Sequence, residues 1–184
     1  KLKISKYVNN IGIWYWKDYD YSKAIDYYNE SLLIKEELGD TRNYGKTLNN
    51  MGQAYYDMGD FSSSIEYFNQ SIELKEKLND KKGLQATLLN LGEAYFDNDD
   101  YDHALSHFRK SLNIARAFGV IYDISDRYTA IGMTHFNLAN YDSATYYLTM
   151  ADSIYIEYPT NRLTILSWLA ITSIKDGNTQ RAKT

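Results

Sequence analysis

Four glycines stand at one constant interval of 40 residues, Gly12, Gly52, Gly92 and Gly132, and the residues around them recur in the same order. Aligned on the glycines, the chain gives Val8, Ile11, Gly12, Tyr15, Ala24, Tyr28, then Leu48, Met51, Gly52, Tyr55, Ser64, Phe68. The next units give Leu88, Leu91, Gly92, Tyr95, Ala104, Phe108 and Tyr128, Ile131, Gly132, His135, Ala144, Leu148. A fixed period of this size is the mark of a repeat array, in which each unit buries its apolar face against its neighbours.

Spacing within a unit predicts two helices. Leu48, Met51, Gly52, Tyr55 and Tyr56 fall on one helical stripe, and Phe61, Ser64, Ile65, Phe68 and Ile72 on another. Between them Asp20, Asp60, Asp100 and Asn140 recur, each followed by an aromatic residue (Tyr21, Phe61, Tyr101, Tyr141). A short Asp or Asn side chain accepts from the free amides of a first turn, so these are predicted N-caps. Gly paired with Ala or Ser predicts close approach of the two helices, with aromatics filling the space that remains.

The order large-large-Gly-aromatic, then small and aromatic, resembles the tetratricopeptide repeat, W-x2-L-G-x2-Y followed by A-x3-F over about 34 residues. The roughly six additional residues per unit are expected at the end of the second helix and the connection after it, through 39–44 and 78–83. The 40-residue variant resembles the arrays of Pins/LGN-type spindle-orientation adaptors and of bacterial sensor kinases and transcription regulators. This resemblance implies an all-α right-handed superhelix of stacked antiparallel helix pairs, one solenoid over 1–184. Its repeats would be about 5–40, 41–80, 81–120 and 121–158, with a partial fifth over 162–184. Leu166, Leu169, Ala170, Gly177, Asn178 and Ala182 carry that fifth unit, read as a first helix and the opening of its partner. The sole proline, Pro159, follows the fourth unit. The chain begins without Met and neither end carries a polar capping unit, so it reads as a segment of a longer protein.

Composition limits the function classes. A net charge of −4 with no basic block argues against a nucleic-acid surface, which needs clustered Lys and Arg. No apolar run is long enough to span a bilayer. The absence of cysteine removes disulfides, thiol catalysis and cysteine metal sites. The compartment stays open between cytoplasm and periplasm. Most of the nineteen tyrosines fall on repeat positions and are read as packing, ring inside and hydroxyl at the margin.

The family places its binding groove on the first helices. Carried onto the matched glycines, the groove positions are Lys6, Asn9, Ile13, Trp16, Lys17, then Lys46, Asn49, Gln53, Tyr56, Asp57. The later units give Ala86, Leu89, Glu93, Phe96, Asp97 and Asp126, Thr129, Met133, Phe136, Asn137. Two ladders stand out among the candidates. Trp16, Tyr56, Phe96 and Phe136 put an aromatic at every rung, either as binding anchors or resting on the next unit's first helix. Asn10, Asn50 and Asn90, interrupted by Ala130, offer donor and acceptor to a peptide backbone, or else bond between helices. Lys6, Lys17 and Lys46 precede Asp57, Glu93, Asp97 and Asp126, a gradient that is either a solvated face or a device that orients a partner.

Chemistry-bearing motifs are weak. His103 and His107 are four apart, but Ala104 stands where a metalloprotease has its Glu, and no third ligand is evident; a solvated pair is expected. His135 occupies an aromatic repeat position and is expected in the core. The cluster Asp97, Asn98, Asp99, Asp100, Asp102 lacks the central Gly of a calcium loop, and Phe108 stands in place of its Glu. The reading is a scaffold that binds a protein or peptide in the groove, without catalysis, cofactor or metal. By resemblance it would be the sensory or regulatory segment of a bacterial signalling protein or transcription regulator. The alternatives are a self-association module and, less supported, a metal-dependent enzyme.

Overall fold

The computed structural model describes residues 2–155 and 162–183. Among them every element is a helix: α1 Leu2–Lys17, α2 Tyr21–Glu37, α3 Thr41–Asp57, α4 Phe61–Lys77, α5 Lys81–Asp97, α6 Tyr101–Phe118, α7 Ile121–Asn137, α8 Tyr141–Tyr155 and α9 Arg162–Lys183. Two compact units result, Lys1–Asn98 with α1 to α5 and Asp99–Thr184 with α6 to α9. In each, consecutive helices pack as antiparallel neighbours, and first helices lie beside first helices.

The period of 40 is built from two 17-residue helices and two three-residue turns, as α2 to α4 show. The extra length therefore sits mostly inside the helices. Only 38–40 and 78–80 lie outside them, and the rest of 39–44 and 78–83 forms the first turns of α3 and α5. Asp20, Asp60 and Asp100 cap α2, α4 and α6 by accepting the backbone N–H three residues on. Asp40 and Asp80 do the same for α3 and α5, caps that the sequence reading did not single out. Val120, before α7, makes no such bond.

The repeat glycines mark close approach within helix pairs. A Cβ on Gly12 would lie 2.6 Å from the Tyr28 ring, and one on Gly52 2.6 Å from the Phe68 ring. In the second unit a Cβ on Gly132 would lie 2.7 Å from Leu148 Cγ. Around these contacts the first unit buries Ala24, Ile25, Tyr28, Leu32, Leu48, Met51 and Ala54 in one cluster, and Phe68, Leu91 and Ala94 in the next.

At the end of the described residues, α9 runs unbroken from Arg162 to Lys183. The turn expected near Gly177 and Asn178 does not form. In earlier units that turn is imposed by a second helix packing back on the first, and a Cβ at Gly177 would meet nothing within 4 Å. Without such packing a glycine costs about 1 kcal/mol but does not end a helix. Pro159 lies outside the described residues.

Candidate functional site

The aromatic ladder is tied into the stacking of first helices. Trp16 on α1 donates its indole N–H to Asp57 Oδ2 on α3 at 2.6 Å, and Tyr56 on α3 donates its hydroxyl to Asp97 on α5. In the second unit Phe136 on α7 meets Trp168 on α9 edge to face, 5.2 Å between ring centres. Each of these three rings thus reaches the next first helix. Tyr56 and Phe136 also touch Phe61 and Tyr141, the first residues of the second helices that follow them. All four ladder rings, Phe96 included, are half-buried. Burial first, and then the Asp97 carboxylate, hold the Tyr56 hydroxyl protonated well beyond the ordinary tyrosine range.

The same bonds occupy the acidic rungs. Asp57 accepts from Trp16 on one oxygen and from Gln53 Nε2, 3.1 Å away, on the other. Bonds from neutral donors leave the carboxylate charges in place but engage their oxygens, so the inner face of the first unit carries Lys6, Lys17 and Lys46 beside Asp57, Glu93 and Asp97, with Asp57 and Asp97 already accepting from neighbouring side chains. Lys6, Asn10, Lys17 and Lys46 are exposed, while Ile13, Asn49, Asn50, Gln53, Leu89, Asn90 and Glu93 are half-buried. On the second unit Met133 is half-buried, and Asp126 is exposed at the position of Lys6 and Lys46.

Beneath this face lies a feature that the sequence reading missed. Lys35 near the end of α2 and Lys75 near the end of α4 are only 3% and 6% exposed. Their ammonium groups donate to Thr47 and Thr87 on the next first helix. Thr47 in turn donates to Asn9 Oδ1 at 2.8 Å, and Thr87 to Asn49 Oδ1 at 2.7 Å. A relay of hydrogen bonds so runs from a buried amine to the half-buried asparagines of the inner face. Asn50 Nδ2 joins it, 3.5 Å from Asn9 Oδ1. The Asn side chains at 9 and 49 thus do inter-helix work, while Asn10 stays exposed.

Burial pushes both amines down to about 8, against the pull of Asp40 and Asp80, and the Lys46 charge depresses each further. Lysine in an amphipathic helix ordinarily reads as surface. The available signal was the recurrence of Lys35 and Lys75 at the repeat period together with Thr47 and Thr87.

The histidines take separate roles. His103 sits 2.7 Å from its cap residue Asp100. His107 is half-buried instead of solvated, and burial, Lys110 and His103 push its imidazole down to about 4. His135 is buried and stacks on Tyr147 at 5.5 Å, taking the place of Tyr15 on Tyr27 and Tyr55 on Tyr67. Among the described residues there is no group of three or more His, Cys, Asp or Glu able to hold a metal ion. None of the helices among those residues is long and apolar enough to cross a membrane.

Comparison with known proteins agrees with this architecture. The chain resembles the apo form of RapI (TM-score 0.86, 19% identity, covering 97% of this chain and 50% of that one). It also resembles a Rap protein complexed with competence and sporulation factor (TM-score 0.76, 20% identity, 97% and 50%). A third likeness is to a signal transduction ATPase with a tetratricopeptide repeat sensor from Pyrococcus horikoshii (TM-score 0.85, 17% identity, 92% and 27%). This chain thus spans half the length of the Rap structures. No curated protein matches. The sequence model of the tetratricopeptide repeat matches over 4–77 and 84–157, most of the chain, and the protein belongs to the tetratricopeptide repeat family.

Proposed function

We propose that the inner face of the first helices holds a segment of a partner protein, and that over the first unit the segment is acidic. The observation that carries this reading is the stack of cations there. Lys6, Lys17 and Lys46 are exposed, Lys46 within electrostatic reach of the buried ammonium groups of Lys35 and Lys75, while both oxygens of Asp57 are committed to Trp16 and Gln53. Two buried charges that bond to neutral hydroxyls, with Asp40 and Asp80 nearby as their carboxylates, add to the field of the exposed lysines, and a carboxylate of the partner would be drawn to it.

Asn10, Asn50 and Asn90 would serve the backbone of the segment, and the half-buried rings of Trp16, Tyr56 and Phe96 would give it apolar footing, as Phe136 would for a segment on the second unit. The array would act as a scaffold without chemistry of its own, in a larger signalling or regulatory protein. The Rap complex with competence and sporulation factor and the ATPase with a repeat sensor support that wider role by analogy of fold.

A peptide library displayed on phage and panned against the chain tests the assignment. Selected peptides are expected to carry Asp or Glu, and Lys6→Glu with Lys46→Glu should weaken them by tenfold or more. Loss of binding on Glu66→Lys or Glu73→Lys instead, with the Lys variants unaffected, would move the site to the second helices.

A further inference from the structure

Hydrogen bonds have a direction, and the buried relay fixes it. An ammonium group can only donate, so Thr47 and Thr87 accept from Lys35 and Lys75 with an oxygen lone pair. Each hydroxyl then has one proton to place. For Thr47 the acceptors in reach are Asn9 Oδ1 at 2.8 Å and the Asn43 carbonyl at 3.2 Å. For Thr87 they are Asn49 Oδ1 at 2.7 Å and the Gly83 carbonyl at 3.2 Å. The shorter bond goes to asparagine in both.

The buried charge decides which end of each asparagine turns inward. A side-chain amide has an acceptor end and a donor end of nearly equal size, so shape hardly tells them apart. A cation does. At low dielectric it attracts the negative Oδ1 end and repels Nδ2, and by polarising the threonine hydroxyl it makes that group a stronger donor and a weaker acceptor. At residue 9 a second contact agrees, since Asn50 Nδ2 stands 3.5 Å from Asn9 Oδ1. The cation is itself held in place. A Cβ on Gly83 would lie 3.2 Å from Lys75 Cε, so the lysine stem runs against bare backbone of α5.

With Oδ1 turned in, the N–H bonds of Asn9 and Asn49 are directed to the inner face, where both residues are half-buried. We propose that Lys35 and Lys75 are positioning residues for recognition, holding Asn9 and Asn49 as amide donors, so that a peptide segment bound there must meet them with acceptors, its backbone carbonyls. This rests on the reading that the inner face of the first unit holds such a segment. The repeat supplies an internal comparison. One period beyond Asn49, Lys75 and Thr87 the sequence has Leu89, Ala115 and Arg127. Lysine, threonine and asparagine are lost together, as three parts of one device would be.

Exchange of side-chain amide protons with water, followed by NMR on the isotope-labelled whole chain, tests the orientation without any ligand. In Lys75→Met one Asn49 proton should exchange several-fold more slowly than in wild type, because the amide is then free to turn and donate to Thr87, while Asn9 is unchanged. Lys35→Met should slow Asn9 and leave Asn49 alone, which gives an independent test at the other rung. Adding Thr87→Val to Lys75→Met should restore fast exchange at Asn49, an outcome that a general tightening of the fold would not produce. A slow Asn49 proton already in the wild type, or no change in either lysine variant, would overturn the proposal.

A peptide from the phage selection tests the consequence for binding. Replacing its backbone carbonyls singly by thiocarbonyls, which are poorer acceptors, should weaken it about tenfold at the position that meets Asn49. That loss should vanish in Lys75→Met. Sensitivity to N-methylation of the peptide backbone in place of thiocarbonyl substitution would show that the rungs accept from the segment, and would overturn the proposal. If no peptide is selected, the groove reading fails and the recognition role with it, whereas the exchange measurement still decides which way the two amides face.

Discussion

The two units place a buried cation at equivalent helix junctions from opposite sides. In the first unit the cation comes from the second helix, as Lys35 and Lys75, and a threonine on the next first helix accepts from it. In the second unit the position matching Lys75 is Ala115, and that matching Thr87 is Arg127. Arg127, only 4% exposed, donates its Nε–H to Ser111 Oγ on α6 at 3.1 Å, with Asp123 3.7 Å from its guanidinium.

A second pair of positions reverses in the same way. Ser31 and Ser71 on second helices donate to the carbonyls of Ser5 and Gly45 on first helices, at 2.9 and 2.7 Å. In the second unit Ser125 on the first helix donates to the carbonyl of Ala151 on the second, at 3.1 Å. The repeat therefore preserves contacts more strictly than residues. A hydrogen bond or a buried charge can be supplied from either helix, provided the other offers a small or accepting group.

The largest expected effect separates the two units by what stands over their glycines. Gly52 faces the rigid Phe68 ring, with three ring atoms at 2.6–3.0 Å, whereas Gly132 faces Leu148, an aliphatic chain whose Cγ at 2.7 Å can move off by turning about its Cα–Cβ bond. Gly52→Ala should therefore cost roughly 1–3 kcal/mol by overpacking, and Gly132→Ala distinctly less. Denaturant melts of both variants check this. Equal losses would mean that the ring yields as readily as the aliphatic side chain.

A second effect, of roughly 1–2 kcal/mol, distinguishes a titratable cation from one that does not titrate. Below pH 8 Lys75 is charged in both folded and unfolded chains, and the fold bears the full desolvation penalty. Above about 8 the folded form gives up its proton first, the unfolded chain holds more protons, and stability rises with pH. The gain should end near pH 10, where tyrosines ionise in the unfolded chain but not in the fold, because burial raises Tyr28 and Tyr56 above their ordinary range. Chemical melts of wild type and Lys75→Met between pH 7 and 10 should show a steeper rise in the wild type. The variant should be at least as stable at pH 7, since an apolar side chain replaces a buried charge. Parallel pH profiles would mean that Lys75 keeps an ordinary pKa.

This contrast also marks how far the residues could be read in advance. Gly12, Gly52 and Gly132, and the caps at Asp20, Asp60 and Asp100, depend on local spacing and on steric needs of one residue type, which a sequence displays directly. The buried lysines depend on which flank of a helix the next unit covers, and at 35 and 75 a charged residue occupies a covered position. The aromatic ladder was legible as a ladder, but not its ties. That Trp16 and Tyr56 each reach the Asp of the following repeat is a matter of rise between first helices, which residue spacing does not give. In α9 the Gly-Asn signal at 177 and 178 was read as a turn, yet such a turn needs a packed partner helix to enforce it.

The smallest effect concerns the turns after the first helices. Four equivalent residues, Tyr19, Gly59, Asp99 and Ala139, have positive φ, from 57° to 80°. Glycine takes that region without strain, whereas a side chain there costs roughly 1–2 kcal/mol, less for Asp, which tolerates it better. Gly59 is thus the relaxed member in the first unit, and Ala139 the strained one in the second. Ala139→Gly should stabilise by about 0.5–1 kcal/mol, because relief of strain is partly offset by the greater freedom of glycine in the unfolded chain. Tyr19→Gly should gain less, since it removes the edge-to-face contact of Tyr19 with Tyr21, 6.3 Å between centres. Gly59→Ala should lose about 1 kcal/mol, with nothing within 4 Å for the new methyl to meet and backbone strain as the sole cause. Thermal melts of the three variants check the order. If Ala139→Gly and Gly59→Ala shift the midpoint in the same direction, the two turns do not share one backbone conformation.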